Sequence, residues 1–360
     1  MSSRKLKSGY TTGSHATALV GAVLYQYFYK EIKESIRVNL PNGEVADILV
    51  LYKNNLIFST IKVDNDDLDV TKGAELSISL YEEVPKSLKP QTPSILEINS
   101  SKIYIYGGDG VGVVTKRGLK IAPNYPAINP TPLSMMREIA EDIIIDREFR
   151  DLHIILSIIN GEEIAKDTAN LKVGVVGGLS ILGTKGVVKP VSSLAYIDSI
   201  EVEISVLDAL DEDIVIFTLG NSAFDYAKKY YNQQNIIEVG NFVYESLQLL
   251  KDRKFQKVIF ITGVAKMTKV AQGCKNTHNR FGGIDFDEVN IWLESLNISH
   301  QQEITLKALL ENLTQEERDR FLSLLKDKST KQLYRWLPQN IKSVDGVTLT
   351  SHSSPPLLDI

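Results

Sequence analysis

The chain has 360 residues, 43% hydrophobic and 24% charged, the balance of an ordinary globular protein at a length that suggests two domains. A net charge of −5 argues against general nucleic-acid binding, no apolar run approaches the ~20 residues that span a bilayer, and the basic start MSSRKLKSGY lacks the apolar core of a secretory signal. With one cysteine, Cys274, there is no internal disulfide framework and no multi-cysteine metal site, so the expectation is a cytoplasmic protein with no metal of its own.

Residues 14–33 carry an apolar stripe (Ala18, Leu19, Ala22, Val23, Tyr27) at helical spacing, with Ser14 or Thr12 as N-cap. The motif GYTTGS (residues 9–14) sits just before it. Capping needs one hydroxyl, so the surplus from Thr11, Thr12 and Ser14 points to an anion cradle at a helix start. Residues 35–40 and 44–52 read as a hairpin around Asn42-Gly43, followed by strands at 56–63, 75–81 and 94–98. The acids Asp64, Asp66, Asp67 and Asp69 lack the glycine and terminal glutamate of an EF-hand; they are an exposed turn, or they supply a base or a partner for a cationic ligand.

A strand at 102–106 runs into four glycines, Gly107, Gly108, Gly110 and Gly112, and then into Lys116, Arg117 and Lys120. A helix at 131–150 and a strand at 152–159 follow. A strand at 172–176 enters a second cluster, GGLSILGTKG (177–186), with Lys185 and Lys189 beside it. Such clusters suit bare backbone against an anionic ligand, or are simply tight turns; neither matches GxGxxG or a P-loop.

Beyond this point strands (214–219, 236–239, 258–262) alternate with helices (191–210, 223–231, 242–250, 265–272), which implies a parallel sheet covered by helices. Ligands in such sheets sit at the carboxyl ends of the strands, where Gly177, Gly220, Gly240 and Gly263 fall. After Asp285 the chain reads as helical to Trp336, then as a short tail. His278, in a polar run, is a proton-transfer candidate; Cys274 reads as a small buried hydrophobe. No Gly-x-Ser-x-Gly elbow or zinc-spaced set appears, so hydrolase and metalloenzyme readings lose ground.

Six segments in order, GYTTGSHA (9–16), DDLDVTKGAEL (66–76), GGDGVGVVTKRGL (107–119), PAINPTP (126–132), GGLSILGTKGVVKPVS (177–192) and KMTKVAQGCKNTHNR (266–280), resemble the cobalt-precorrin-5B C1-methyltransferases, the CbiD family. The resemblance implies methyl transfer from S-adenosylmethionine to C1 of a cobalt tetrapyrrole, with cobalt present only as part of the substrate. It also implies an α+β N-terminal domain (1–168) with the glycine-rich loop, followed by an α/β Rossmann-like domain (169–360) with a helical C-terminal extension. On that reading Gly107, Gly108, Gly110, Gly112, Gly178, Ser180, Gly183 and Thr184 hold the methyl donor. Thr11, Thr12, Ser14, Lys116, Arg117 and Lys266 take the carboxylate arms of the tetrapyrrole, and Asp67, Asp69 or His278 unmasks C1. Nucleic acid and membrane are not expected partners, and a homodimer stays open.

The chain departs from the family pattern at His15, where cysteine is common, at Asn65 and Leu68 in the acidic loop, at Tyr244, at Val264-Ala265 in place of a His-Ile-Gly-type turn, and at Gly283. Two rivals therefore stand beside the methyltransferase: a catalytically altered corrinoid-binding relative, and an NADPH-dependent tetrapyrrole reductase. The reductase is weakened by the missing Gly-x-Gly-x-x-Gly fingerprint.

Overall fold

The computed structural model describes residues 8–62, 70–145, 147–188, 193–299 and 305–349. The chain divides into two compact units, Met1–Ser193 and Leu194–Ile360, each with mixed α and β structure.

The first unit runs β1 (Gly9–Tyr10), α1 (Thr12–Tyr29), β2 (Ser35–Asn39), β3 (Val45–Leu49), β4 (Leu51–Asn54), β5 (Ile57–Ile61), β6 (Glu75–Tyr81), β7 (Ser94–Ile98), β8 (Ser101–Gly107), β9 (Gly110–Val111), β10 (Val113–Val114), α2 (Pro130–Ile144), β11 (Leu152–Ile158), α3 (Gly161–Ala165), β12 (Val175–Val176), β13 (Gly178–Leu179) and β14 (Val187–Val188). Helix α1 is its centre. Every residue from 12 to 24 is buried, so the apolar stripe belongs to a helix wrapped on all sides. The cap is Thr11, one residue before Thr12 and three before Ser14, the two expected caps, and the helix ends at Lys30 in the left-handed conformation.

Against α1 lies a six-stranded mixed sheet in the order β4-β5-β6-β11-β8-β7, in which only the β8–β11 pair is parallel. Strict alternation along β6 and β11 sends Leu76, Ile78, Leu80, Leu152, Ile154, Leu156 and Ile158 to the core face. The expected strand 44–52 is two strands: β3 pairs with β2 around the Asn42-Gly43 turn, whereas β4 pairs with β5 in the large sheet. The expected boundary at 168/169 lies instead at 193/194, because β12, β13 and β14 pair back onto β10, β9 and β1.

The second unit runs α4 (Ser193–Asp208), β15 (Ile214–Leu219), α5 (Asn221–Tyr230), β16 (Ile236–Glu238), α6 (Val243–Gln248), β17 (Lys257–Gly263), α7 (Val264–Ala271), α8 (Phe286–Ser295), α9 (Leu306–Asn312), α10 (Gln315–Trp336) and β18 (Ser343–Leu349). Its sheet is wholly parallel, in the order β16-β15-β17-β18. Val215, Phe217 and Phe260 enter one apolar cluster and Ile216, Ile259 and Ile261 another, so both faces are covered, as a parallel sheet requires. Strand β18, in the expected C-terminal tail region, was not foreseen; its Asp345 pairs with Lys257 at 2.6 Å. Among the described residues no helix is long and apolar enough to cross a membrane.

His15 lies inside the first core at 1% exposure. Its Nδ1 is 3.0 Å from the Thr60 hydroxyl, which itself donates to Leu49 O at 2.7 Å. Nδ1 therefore carries the ring proton, and Nε2 is a buried lone pair without a partner among the described residues. Burial, and then the charge of Lys62, push the pKa from 6.5 down to about 4. The unfolded chain thus takes up this proton near pH 6.5 and the folded chain only near pH 4. Stability from the neutral ring is complete above pH 6.5 and declines as pH falls toward 4, by on the order of 3 kcal/mol. His15→Asn, whose amide can still meet Thr60, should show a flatter loss of melting temperature from pH 7 to pH 4. Parallel declines for wild type and variant would contradict the assignment.

Gly110 has φ +75°, and a Cβ there would overlap the carbonyl oxygen of Ile158 and lie 2.9 Å from Gly161 N. Gly110→Ala therefore combines a disfavoured backbone with a collision against main chain, and should cost about 3 kcal/mol or more. Gly177, also at positive φ but with nothing within 4 Å, is the control: Gly177→Ala should cost only about 1 kcal/mol. Urea midpoints measure both, and equal losses would refute the packing account.

Candidate functional site

In the first unit the two glycine clusters and the GYTTGS motif meet. β9 pairs with β13 through Gly110 and Gly178, and β10 pairs with β12. The amide of Gly107 donates to Gln91 Oε1 at 2.8 Å, that of Gly108 to Leu156 O at 2.7 Å, and that of Gly112 to Leu179 O at 2.9 Å. These amides, expected to face a ligand, are bonded within the protein. Gly183 presses on the Thr11 side chain, Ser180 is half-buried, and Thr184 is exposed.

The three hydroxyls are committed in the same way. Ser14 Oγ donates to Gly186 O at 2.7 Å, so the Thr11 hydroxyl, 3.0 Å from Ser14 Oγ, is the donor of that second pair. Thr12 Oγ1 accepts from Leu182 N–H at 3.0 Å and returns its proton to the carbonyls of Leu182 and Ser180. Gly13 N–H, at the start of α1, donates to Leu182 O at 2.9 Å. The helix start is a cradle filled by carbonyl oxygens of the 178–186 loop, the polarity its dipole favours. The surplus hydroxyls thus have a structural account. Lys116 is half-buried, with Nζ 3.4 Å from Lys172 O, while Arg117 is exposed and has no carboxylate partner among the described residues. Asp67 and Asp69 lie outside the described residues.

In the second unit the parallel pairing brings all four strand ends to one edge. The chain leaves β15 for β16 on one side, then crosses to β17 on the other, so the sheet reverses its direction of growth between β15 and β17. Gly220, φ +89°, and Gly263 precede α5 and α7 there, and neither helix has a side-chain cap. A Cβ on Gly220 would touch only Lys266 Nζ, at 3.9 Å, and one on Gly263 nothing within 4 Å. Lys266 is half-buried, without a hydrogen bond or ion pair among the described residues; burial, and then the charge of Lys269, lower its pKa. At the end of β16, exposed Glu238 precedes Gly240, over which the ring of Tyr196 lies; Tyr196 also contacts Phe242 at 5.5 Å between centroids and donates to Glu238 O at 3.3 Å. Sequence reading did not single out Glu238 or Tyr196. The available signal was an acid eighteen positions after Gly220, at the end of the next strand.

The segment after α7 is knotted by Lys269, 5% exposed, whose ammonium donates to Thr277 O, Asn279 Oδ1 and Gly282 O at 3.2, 2.7 and 2.9 Å. All three protons are used. His278, exposed on this segment, accepts the Arg280 amide at Nδ1 (3.1 Å), so its neutral ring presents Nε2–H outward as a donor rather than a free lone pair as a base. Val264 packs against the apolar core, and an added Cβ at Gly283 would meet nothing within 4 Å. Lys269→Met should leave three carbonyl-type acceptors without a donor and loosen the segment. Limited tryptic cleavage after Arg280 should then accelerate by about tenfold, and an unchanged rate would show that the knot does not hold it.

The CbiD family model matches residues 1–190. Proteins named cobalt-precorrin-5B C(1)-methyltransferase are similar over most of their length: 37% identity with that of a Thermoanaerobacter species (77% of this chain, 72% of the relative), 32% with that of Picrophilus torridus (86% and 89%), and 35% with that of Brucella canis (78% and 74%). A crystal structure of a cobalamin biosynthesis protein (CbiD) from Archaeoglobus fulgidus aligns over 81% of this chain and 85% of its own, at 22% identity and a TM-score of 0.41. With a family match over more than half its residues and relatives of this identity and coverage, the chain belongs to the CbiD family.

Proposed function

We propose that this protein methylates C1 of cobalt-precorrin-5B, giving cobalt-precorrin-6A in anaerobic cobalamin biosynthesis, with S-adenosylmethionine as the donor. The observation that carries the reading is the shared activity name of relatives 32–37% identical over 77–86% of the chain. A Rossmann-like reading of the second unit is supported by its parallel, helix-covered sheet with glycines at the strand ends.

Methyl transfer is an in-line displacement: carbon takes the methyl group, and the electrons of the broken C–S bond stay on sulfur, leaving S-adenosylhomocysteine. The protein's contribution is largely positioning. Arg117 and Lys120, exposed cations beside Lys116, suit the acetate and propionate arms of the tetrapyrrole. In the second unit, His278 offers its Nε2–H as a donor to an anionic group. The buried hydroxyls of Thr12 and Ser14 act as positioning groups, holding the 178–186 loop to the start of α1.

Anaerobic incubation of the purified chain with cobalt-precorrin-5B and methyl-labelled S-adenosylmethionine tests the reading by mass spectrometry. One labelled methyl per tetrapyrrole and an equal yield of S-adenosylhomocysteine are expected. An unlabelled tetrapyrrole under conditions where a relative transfers the label would sink it.

A further inference from the structure

Resting on that reading, we infer that the second unit holds the methyl donor along the carboxyl edge of its parallel sheet, with Glu238 taking the ribose hydroxyls, the Tyr196–Phe242 pair facing the base, and Lys266 taking the amino-acid carboxylate. The glycine loops of the first unit have their amides at Gly107, Gly108 and Gly112 bonded to protein, so they offer no comparable donor set at those positions. The second unit offers what they lack.

The strand order comes first. The sheet grows outward from β15 to β16 and then, from β15's other side, to β17 and β18. Helices and loops leaving a reversal point diverge to opposite faces, which opens a crevice above the strand ends. Gly220 follows β15 and Gly263 closes β17, and a Cβ built on Gly220 would find a single neighbour, the ammonium of Lys266. Lys266 is half-buried and unpaired among the described residues, with Lys269 as a like-charged neighbour, so an anion entering beside Gly220 removes an existing electrostatic penalty. A carboxylate fits that position.

The neighbouring strand supplies the complementary end. Glu238 closes β16, in register with Thr218 one residue before Leu219-Gly220 on β15. Its carboxylate is exposed and makes no hydrogen bond or ion pair among the described residues, so its acceptors are available to a pair of vicinal hydroxyls. Tyr196 is 40% exposed and lies against Phe242, which gives a base an aromatic wall next to that acid. The acid and the aromatic pair stand together at the end of β16 and the cation beside the end of β15, so ribose and base meet their partners at one end of the edge and the amino-acid carboxylate at the other.

Calorimetric titration of the full-length chain with S-adenosylhomocysteine and with 5′-methylthioadenosine separates these roles, since both carry the nucleoside but only the first carries the carboxylate. Glu238→Ala should weaken both ligands by about tenfold or more, while Lys266→Met should weaken S-adenosylhomocysteine by a similar factor and leave 5′-methylthioadenosine unchanged. Among the described residues neither side chain makes a hydrogen bond, so the melting temperatures should stay at the wild-type value. Wild-type affinity of the Glu238→Ala variant for both ligands, in a chain that still transfers the labelled methyl group, would overturn this inference alone. A wild-type chain that binds neither ligand and transfers no label would overturn the functional reading with it.

Discussion

Main chain lies directly on main chain where β9, β13 and α3 meet, and the first unit is built around that contact. Gly110, Gly161 and Gly178 approach so closely that a methyl group on any one of them would fall inside a neighbouring backbone atom. Only with that approach can β13 pair with β9 and the 178–186 loop reach back to the start of α1. The helix start then receives the carbonyls of Leu182 and Gly186, so its dipole and its unpaired amides are satisfied from inside the fold. Burial of α1 on every side, and of His15 as a neutral ring, follows from the same closure.

The second unit is organised differently. Its constraint is covering both faces of a parallel sheet, met by two apolar clusters drawn from alternate residues of β15 and β17. The helices needed for that cover leave their first turns at one edge, beside glycines and Lys266, which has no hydrogen bond or ion pair among the described residues. Lys269, one turn further along α7, is turned inward and fastens the segment carrying His278. Two lysines three positions apart thus differ, one fastening the fold and one without a partner among the described residues, although nothing in their local sequence separates them.

Much of the secondary structure was legible. The Asn42-Gly43 hairpin, the helix after GYTTGS and the β/α alternation beyond residue 193 all carry strong local signals, and the family resemblance through six ordered segments agrees with the relatives found. The glycine clusters were legible as special backbone but not as to what approaches it. Residues 175–188 look like part of the second domain because they precede its helices; their partners, β1, β9 and β10, lie some 60 to 180 positions earlier in the chain. Strand β18 was hidden because a short stretch containing Asp345 and Gly346 becomes a strand only through an edge partner such as β17.

Periodicity, turn chemistry and ordered motifs are properties of neighbouring residues, so the sequence by itself determined most of the helices and strands, and to which family the chain belongs. What touches a glycine, whether a hydroxyl meets solvent or a distant carbonyl, and which of two lysines lies inside are decided by contacts between segments far apart in the chain. Those depend on strand order and close packing, and only the tertiary structure decided them.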